Sequence, residues 1–210
     1  MARLVWNQPG ERFFEAGVDR AVFYPPGDEP AVWNGITNIT ERAEGGEKRA
    51  FYLNGVKYLE IAQNETFAGT IEAFGRPQGL TSYDGMREIA SGLSVGQQKR
   101  RPFHFSYRTL VGNDAQGVEH GYKIHLVYNA LLGASEITRS TMNDSPEPVA
   151  LSWDFTTTPM EIPESRPSSH IVAETTNPAL VAALEDIVYG TTSTPPRFPT
   201  IAEILALTVI

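Results

Sequence analysis

RPFHFSYRTLVGNDAQGVEHGYKIHLVYNALL, residues 101–132, decides how the rest of this chain is read. In its first half Phe103, Phe105, Tyr107 and Thr109 alternate with His104, Ser106, Arg108 and Leu110. In its second half Tyr122, Ile124, Leu126 and Tyr128 alternate with Lys123, His125, Val127 and Asn129. A period of two, rich in aromatic and β-branched residues, specifies strands. The segment 112–117, GNDAQG, supplies residues that tolerate turn conformations. A hairpin symmetric about Gln116 and Gly117 sets Tyr107 opposite Leu126 and Phe105 opposite Tyr128, with Arg108 meeting His125 on the other face. That register gives one apolar face for a core, built from cross-strand pairs. The second face is polar with long side chains, suited to water or to a partner.

The flanking sequence extends the pattern. Segments 66–74 and 149–158 alternate apolar and polar residues, with Ile71, Trp153 and Phe155 on one face and Thr70, Glu72, Ser152 and Asp154 on the other. Residues 20–26 read as a strand stopped by Pro25-Pro26, and residues 31–62 as a meander whose Asn54-Gly55 fits a type I′ hairpin turn. Between its strands, 41–49 reads as a long charged tip. Residues 75–101 are rich in Gly and Pro, with room for a short helix near 85–90. Further strands are expected over 136–142 and 170–173, with a turn at 143–146. Asn177 and Pro178 open the clearest helix, 178–189; Asn is a good N-cap and Pro suits the first turn. Residues 191–199 form a linker, and 200–210 an apolar tail with room for a second short helix. The organisation expected is an N-terminal arm (1–19), a domain (20–190) and a C-terminal extension (191–210). The fold class is mainly β: an antiparallel sandwich or barrel-like pair of sheets with one flanking helix.

Composition narrows the function. The 210 residues contain no Cys, which excludes disulfides and thiolate metal sites. No apolar run is long enough to span a membrane as a helix, and the first residues lack an apolar signal core, so synthesis in a cytoplasm is expected. Seventeen basic residues against twenty-five acidic ones give a net charge of −8. Such a surface favours solubility and disfavours holding nucleic acid, whose phosphates call for Lys and Arg. His104, His120, His125 and His170 show no zinc-type spacing, and no serine sits in a nucleophile elbow. Nothing argues for an enzyme, a metal or a cofactor.

Several stretches resemble the major tail protein, or tail tube protein, of long bacteriophages with non-contractile tails, especially those of actinobacterial phages. They are WNGITNITE, YLNGVKYLEIAQNETFAGTIEAFGRP, VGQQKRRPFHFSYRTLVGND, HGYKIHLVYNALLGASE, TMNDSPEP and SWDFTTTP, in that order over roughly residues 5–160, with ALEDIVYG near the end. The resemblance implies a structural virion protein that self-assembles into stacked rings, hexameric in expectation, as a conduit for DNA ejection. It implies contacts with further copies and with the tape measure and tail terminator proteins, and DNA that passes without specific binding. In such tubes sheets from several subunits join into one wide barrel, which removes exposed edges and needs a polar inner face. Thr70, Glu72, Ser106, Arg108, Lys123, His125, Ser152 and Asp154 are the lumen candidates, with Arg108 and Lys123 expected to pair with carboxylates. Trp6, Phe13 and Phe14, on the N-terminal arm, are candidates for contacts between subunits. A virion-decorating or β-sandwich binding module is the alternative; it would form a discrete monomer or trimer and bind a different protein.

Overall fold

The computed structural model describes residues 3–134, 137–139, 141 and 148–207. The strand expected over 136–142 and the turn over 143–146 lie outside the described residues, except for 137–139 and 141, which are in no strand. The described chain is mainly β and antiparallel, with a sandwich-like architecture. Its strands are β1 (Phe13–Tyr24), β2 (Ala31–Val32), β3 (Ile36–Gly45), β4 (Lys48–Leu53), β5 (Val56–Ala62), β6 (Glu65–Ala73), β7 (Arg87–Ala90), β8 (Leu93–Val95), β9 (Phe103–Asn113), β10 (Gly117–Leu132), β11 (Leu151–Thr157) and β12 (His170–Glu174). Helices α1 (Pro178–Val188) and α2 (Ile201–Leu207) follow.

The main sheet runs β2-β1-β9-β10-β11-β6-β3, and β12 also pairs with β10. β10 serves two partners in succession: Lys123–Val127 pairs with β12, and Ala130–Leu132 with β11. Between them, at a register shift, Asn129 takes a positive φ of 50°. Asn tolerates that conformation better than most residues, and the bulge turns the strand. The two halves of the sheet then face each other. Phe105 of β9 meets Phe155 of β11 edge to face at 5.2 Å, and Trp33 meets Trp153 at 5.5 Å. Phe23, Ile71, Leu80, Phe103, Tyr107 and Val127 are among the other residues of this core. Within the β11-β6-β3 half, Gly69 of β6 has no room for a side chain: a Cβ there would lie 2.1 Å from the Thr40 carbonyl oxygen of the neighbouring β3 and 2.9 Å from the Phe155 ring of β11.

A second core lies on the opposite face of β1, β9 and β10. There Val22, Tyr24, Ile124, Leu126 and Tyr128 pack against Val181, Leu184 and Val188 of α1. Each of those three helix residues, fully buried, contributes about 1.5–3 kcal/mol. Asn177 caps the helix, its side chain accepting from the Leu180 N–H at 3.2 Å. Tyr24 donates its hydroxyl to the Val188 carbonyl at 2.8 Å, satisfying an end that the helix leaves open.

Three expectations are corrected. First, the hairpin register is one residue away from the symmetric one: Tyr107 lies opposite His125 and Phe105 opposite Val127. Between the pairs Asn113↔Gly117 and Val111↔Gly121, β10 advances four residues while β9 advances two, and this bulge shifts everything beyond it. A one-residue slip moves every side chain to the other face. Ile124, Leu126 and Tyr128 therefore pack under α1 instead of beside Phe105, and both faces of the hairpin are buried. Second, the arm is shorter than 1–19. Phe13–Asp19 belongs to β1, paired with β9, so Phe13 and Phe14 are strand residues. Third, β3 runs unbroken to Gly45, which reduces the charged tip to Gly46 and Glu47, and residues 87–95 form the β7–β8 hairpin where a short helix was expected.

Candidate functional site: an assembly surface

The outer face of β11, β6 and β3 is polar because alternation sends Trp153, Phe155 and Ile71 inward. Register sets Ser152 opposite Glu72, Asp154 opposite Thr70, and both of these β6 residues opposite Asn38 and Thr40 of β3. Thr70 donates to Asp154 at 2.6 Å. Arg42 and Glu44 continue the same face and bond each other at 3.0 Å. The structure thus brings Thr70, Glu72, Ser152 and Asp154 onto one surface. Glu44, Glu72 and Asp154 set three carboxylates against the single guanidinium of Arg42. Sequence reading missed Asn38, Thr40, Arg42 and Glu44, although the alternation of 36–44 carries the signal.

The other four lumen candidates lie elsewhere. Ser106 is fully buried beneath the α1 layer, 3.4 Å from the Tyr24 hydroxyl, and presents no surface. Arg108 is half-buried, bonded to both Asp19 carboxylate oxygens at 2.7 and 2.5 Å, with its guanidinium over the Tyr122 ring. That hydrogen bond holds its protonation even more firmly than usual. Lys123 pairs with Glu15, which raises its pKa. β1 thus supplies the carboxylate for each cation.

His125 is buried at one end of the sandwich interior. Tyr107 stacks on its ring at 4.5 Å, and its Nε2 lies 2.9 Å from the Thr109 hydroxyl. Its Nδ1 lies 3.1 Å from Nε2 of His170 and 3.6 Å from Oε1 of Glu41. Tyr107 donates its hydroxyl to the same Glu41 oxygen at 2.5 Å. Burial lowers the pKa of both imidazoles, that of His170 to about 4, and raises that of the Tyr107 phenol. Among the described residues, Glu41, His125 and His170 are the group able to hold a metal ion. His170 also lines a cleft of about 770 Å³ with Phe67, Thr66, Ala43 and Ser168.

The exposed apolar surface is concentrated on projecting elements. β4 and β5 pair with each other and, among the described residues, with no other strand. Asn54 and Gly55, at φ 51° and 78°, form the tight turn. Nearly every residue of the hairpin is exposed, including Tyr52 (67%), Tyr58 (71%), Val56 (70%), Leu53 and Ile61. A two-stranded ribbon is marginal in water, and apolar residues along it require cover. Leu4, Val5 and Trp6 are similarly exposed at the N-terminal end. Phe13 and Phe14 are exposed but anchored, Phe13 beside His120 and Phe14 over Gly112. The loop before them is tied down where the Gly10 and Arg12 N–H groups donate to Asp114.

No helix among the described residues is long and apolar enough to cross a membrane. The chain matches no protein-family model, and no curated protein is significantly similar to it.

Proposed function

We propose that this chain is a tail tube subunit of a long-tailed bacteriophage, a structural protein that assembles into stacked rings through which DNA leaves the virion. The observation that carries the reading is the β4–β5 hairpin, which exposes Phe51, Tyr52, Leu53, Val56, Tyr58 and Ile61 away from the chain's own core. A solitary domain gains nothing from such a ribbon, whereas a head-to-tail polymer buries it on the next copy. Contacts between unlike surfaces propagate into a filament when they do not close. The acidic, hydroxyl-rich face of β11, β6 and β3 suits the lumen, because a net negative wall gives phosphates no foothold. The stretches resembling tail tube proteins, which include this hairpin, point the same way.

Sedimentation velocity on the purified chain tests the reading. The wild type should form large species as concentration rises. A Tyr52→Ser/Tyr58→Ser variant should stay small with an unchanged far-ultraviolet circular dichroism spectrum. A wild type that remains a monomer or closed trimer at every concentration overturns the reading and favours a decorating module.

A further inference from the structure

We propose that Glu41, His125 and His170 form a binding site for one divalent transition-metal cation, Zn²⁺ being the best match, which clamps the two halves of the sandwich together. The three ligands come from β3, β10 and β12. β3 belongs to one wing, and β10 and β12 to the other. Their donor atoms all lie within 4.8 Å of one another. Zinc–nitrogen bonds of about 2.0–2.1 Å in a tetrahedron place neighbouring donors about 3.3 Å apart. His125 Nδ1 and His170 Nε2 are 3.1 Å apart, and His125 Nδ1 and Glu41 Oε1 are 3.6 Å apart, so two edges of the tetrahedron already have nearly the right length. The Glu41 side chain is partly exposed, and along the remaining edge its carboxylate lies within 4.8 Å of the His170 donor atom.

The surroundings prepare both rings. Tyr107 stacks on His125 at 8° between planes, and Phe67 stacks on His170 at 23°, which fixes their orientations. The Thr109 hydroxyl lies 2.9 Å from His125 Nε2, and the tautomer in which it accepts a hydrogen bond from Nε2–H leaves Nδ1 with its lone pair facing the site. A ligating imidazole is held in this way by a partner on its other nitrogen, and losing such a partner costs about 10–100-fold in affinity. Tyr107 orients the carboxylate by donating to Oε1. Without a cation, one of the facing nitrogens must carry a proton for the other. With one, both lone pairs and the carboxylate charge are used. A cleft lined by His170 opens beside the site. Two imidazoles and a carboxylate suit Zn²⁺ over Mg²⁺ or Ca²⁺, which take oxygen ligands.

The test uses the full chain, dialysed against EDTA and kept below its assembly concentration, titrated with ZnCl₂ by calorimetry and with CoCl₂ by visible absorption. The expected result is one site per chain, visible bands of tetrahedral Co²⁺, and a Tm raised by about 5 °C or more at saturation. Glu41→Gln and His170→Gln should each weaken Zn²⁺ at least about tenfold, and Thr109→Val should do so through His125 alone. Glu41 is partly exposed, so its variant reports binding even if His170→Gln fails to fold. Absence of stoichiometric binding by the wild type overturns the proposal. So does binding that Glu41→Gln and Thr109→Val leave unchanged.

Discussion

His104 shows how much a single side chain on the hairpin decides. Its Nδ1 accepts from the Asn129 N–H at 3.1 Å, where β10 changes partner, and its ring stacks on Phe198 at 4.8 Å. Burial lowers its pKa. Above the unfolded value of about 6.5 the ring is neutral in both states. As pH falls below that value the unfolded chain takes up a proton that the folded chain resists, so stability falls until the lower folded pKa is reached. His104→Phe should flatten this share of the acid loss in urea unfolding as pH falls below about 6.5. At neutral pH it should cost about 1–3 kcal/mol, because the Asn129 N–H is left without its acceptor. An acid dependence identical to that of the wild type would exclude this role. Tyr24 makes a parallel case at the end of α1. Tyr24→Phe should cost about 1–3 kcal/mol by thermal melt, since the buried Val188 carbonyl loses its donor.

At the scale of elements, alternation alone reveals β6, β9, β10 and β11, and the caps reveal α1, because each is set by neighbours a few residues away. Register is different. It depends on the bulge over 117–121 and on the positive φ of Asn129, neither of which has a local pattern strong enough to read. One residue of slip put Tyr107 beside His125, and so brought His125 to His170 and Glu41, residues far apart in sequence. The polar faces of β6 and β11 were legible because their inward aromatics fix the phase. Ser106 was misread because a small hydroxyl beneath a helix looks like a solvent-facing one. The β4–β5 hairpin was legible as strands and turn, yet its apolar alternation resembles a core element, and only the three-dimensional structure leaves it uncovered. Replacing Tyr52 and Tyr58 with Ser should shift Tm by little, since neither supports a core, while abolishing assembly in sedimentation runs. A loss of several degrees would place the hairpin within the folding unit instead. Deleting residues 2–6, which removes Leu4, Val5 and Trp6, should likewise spare the melt, because the anchoring contacts begin at Asn7 and Gly10. Shorter assemblies from that chain would assign the arm to contacts between copies.

For the molecule as a whole, the polar face of β11, β6 and β3, the long edge of β3 and the uncovered hairpin all fit the proposed reading of a subunit completed by its neighbours. An edge strand of ten residues invites pairing with another chain. If the polar face lines a bore, Glu72→Lys/Asp154→Lys should leave assembly intact and confer DNA retention that weakens as salt rises. Equal retention by wild type and variant would place that face outside. The most direct measurement is electron microscopy of the purified chain at rising concentration. The account predicts stacked rings that lengthen into hollow tubes, with an averaged map placing Thr70, Glu72, Ser152 and Asp154 on the inner wall. Isolated monomers or closed trimers at every concentration would contradict it.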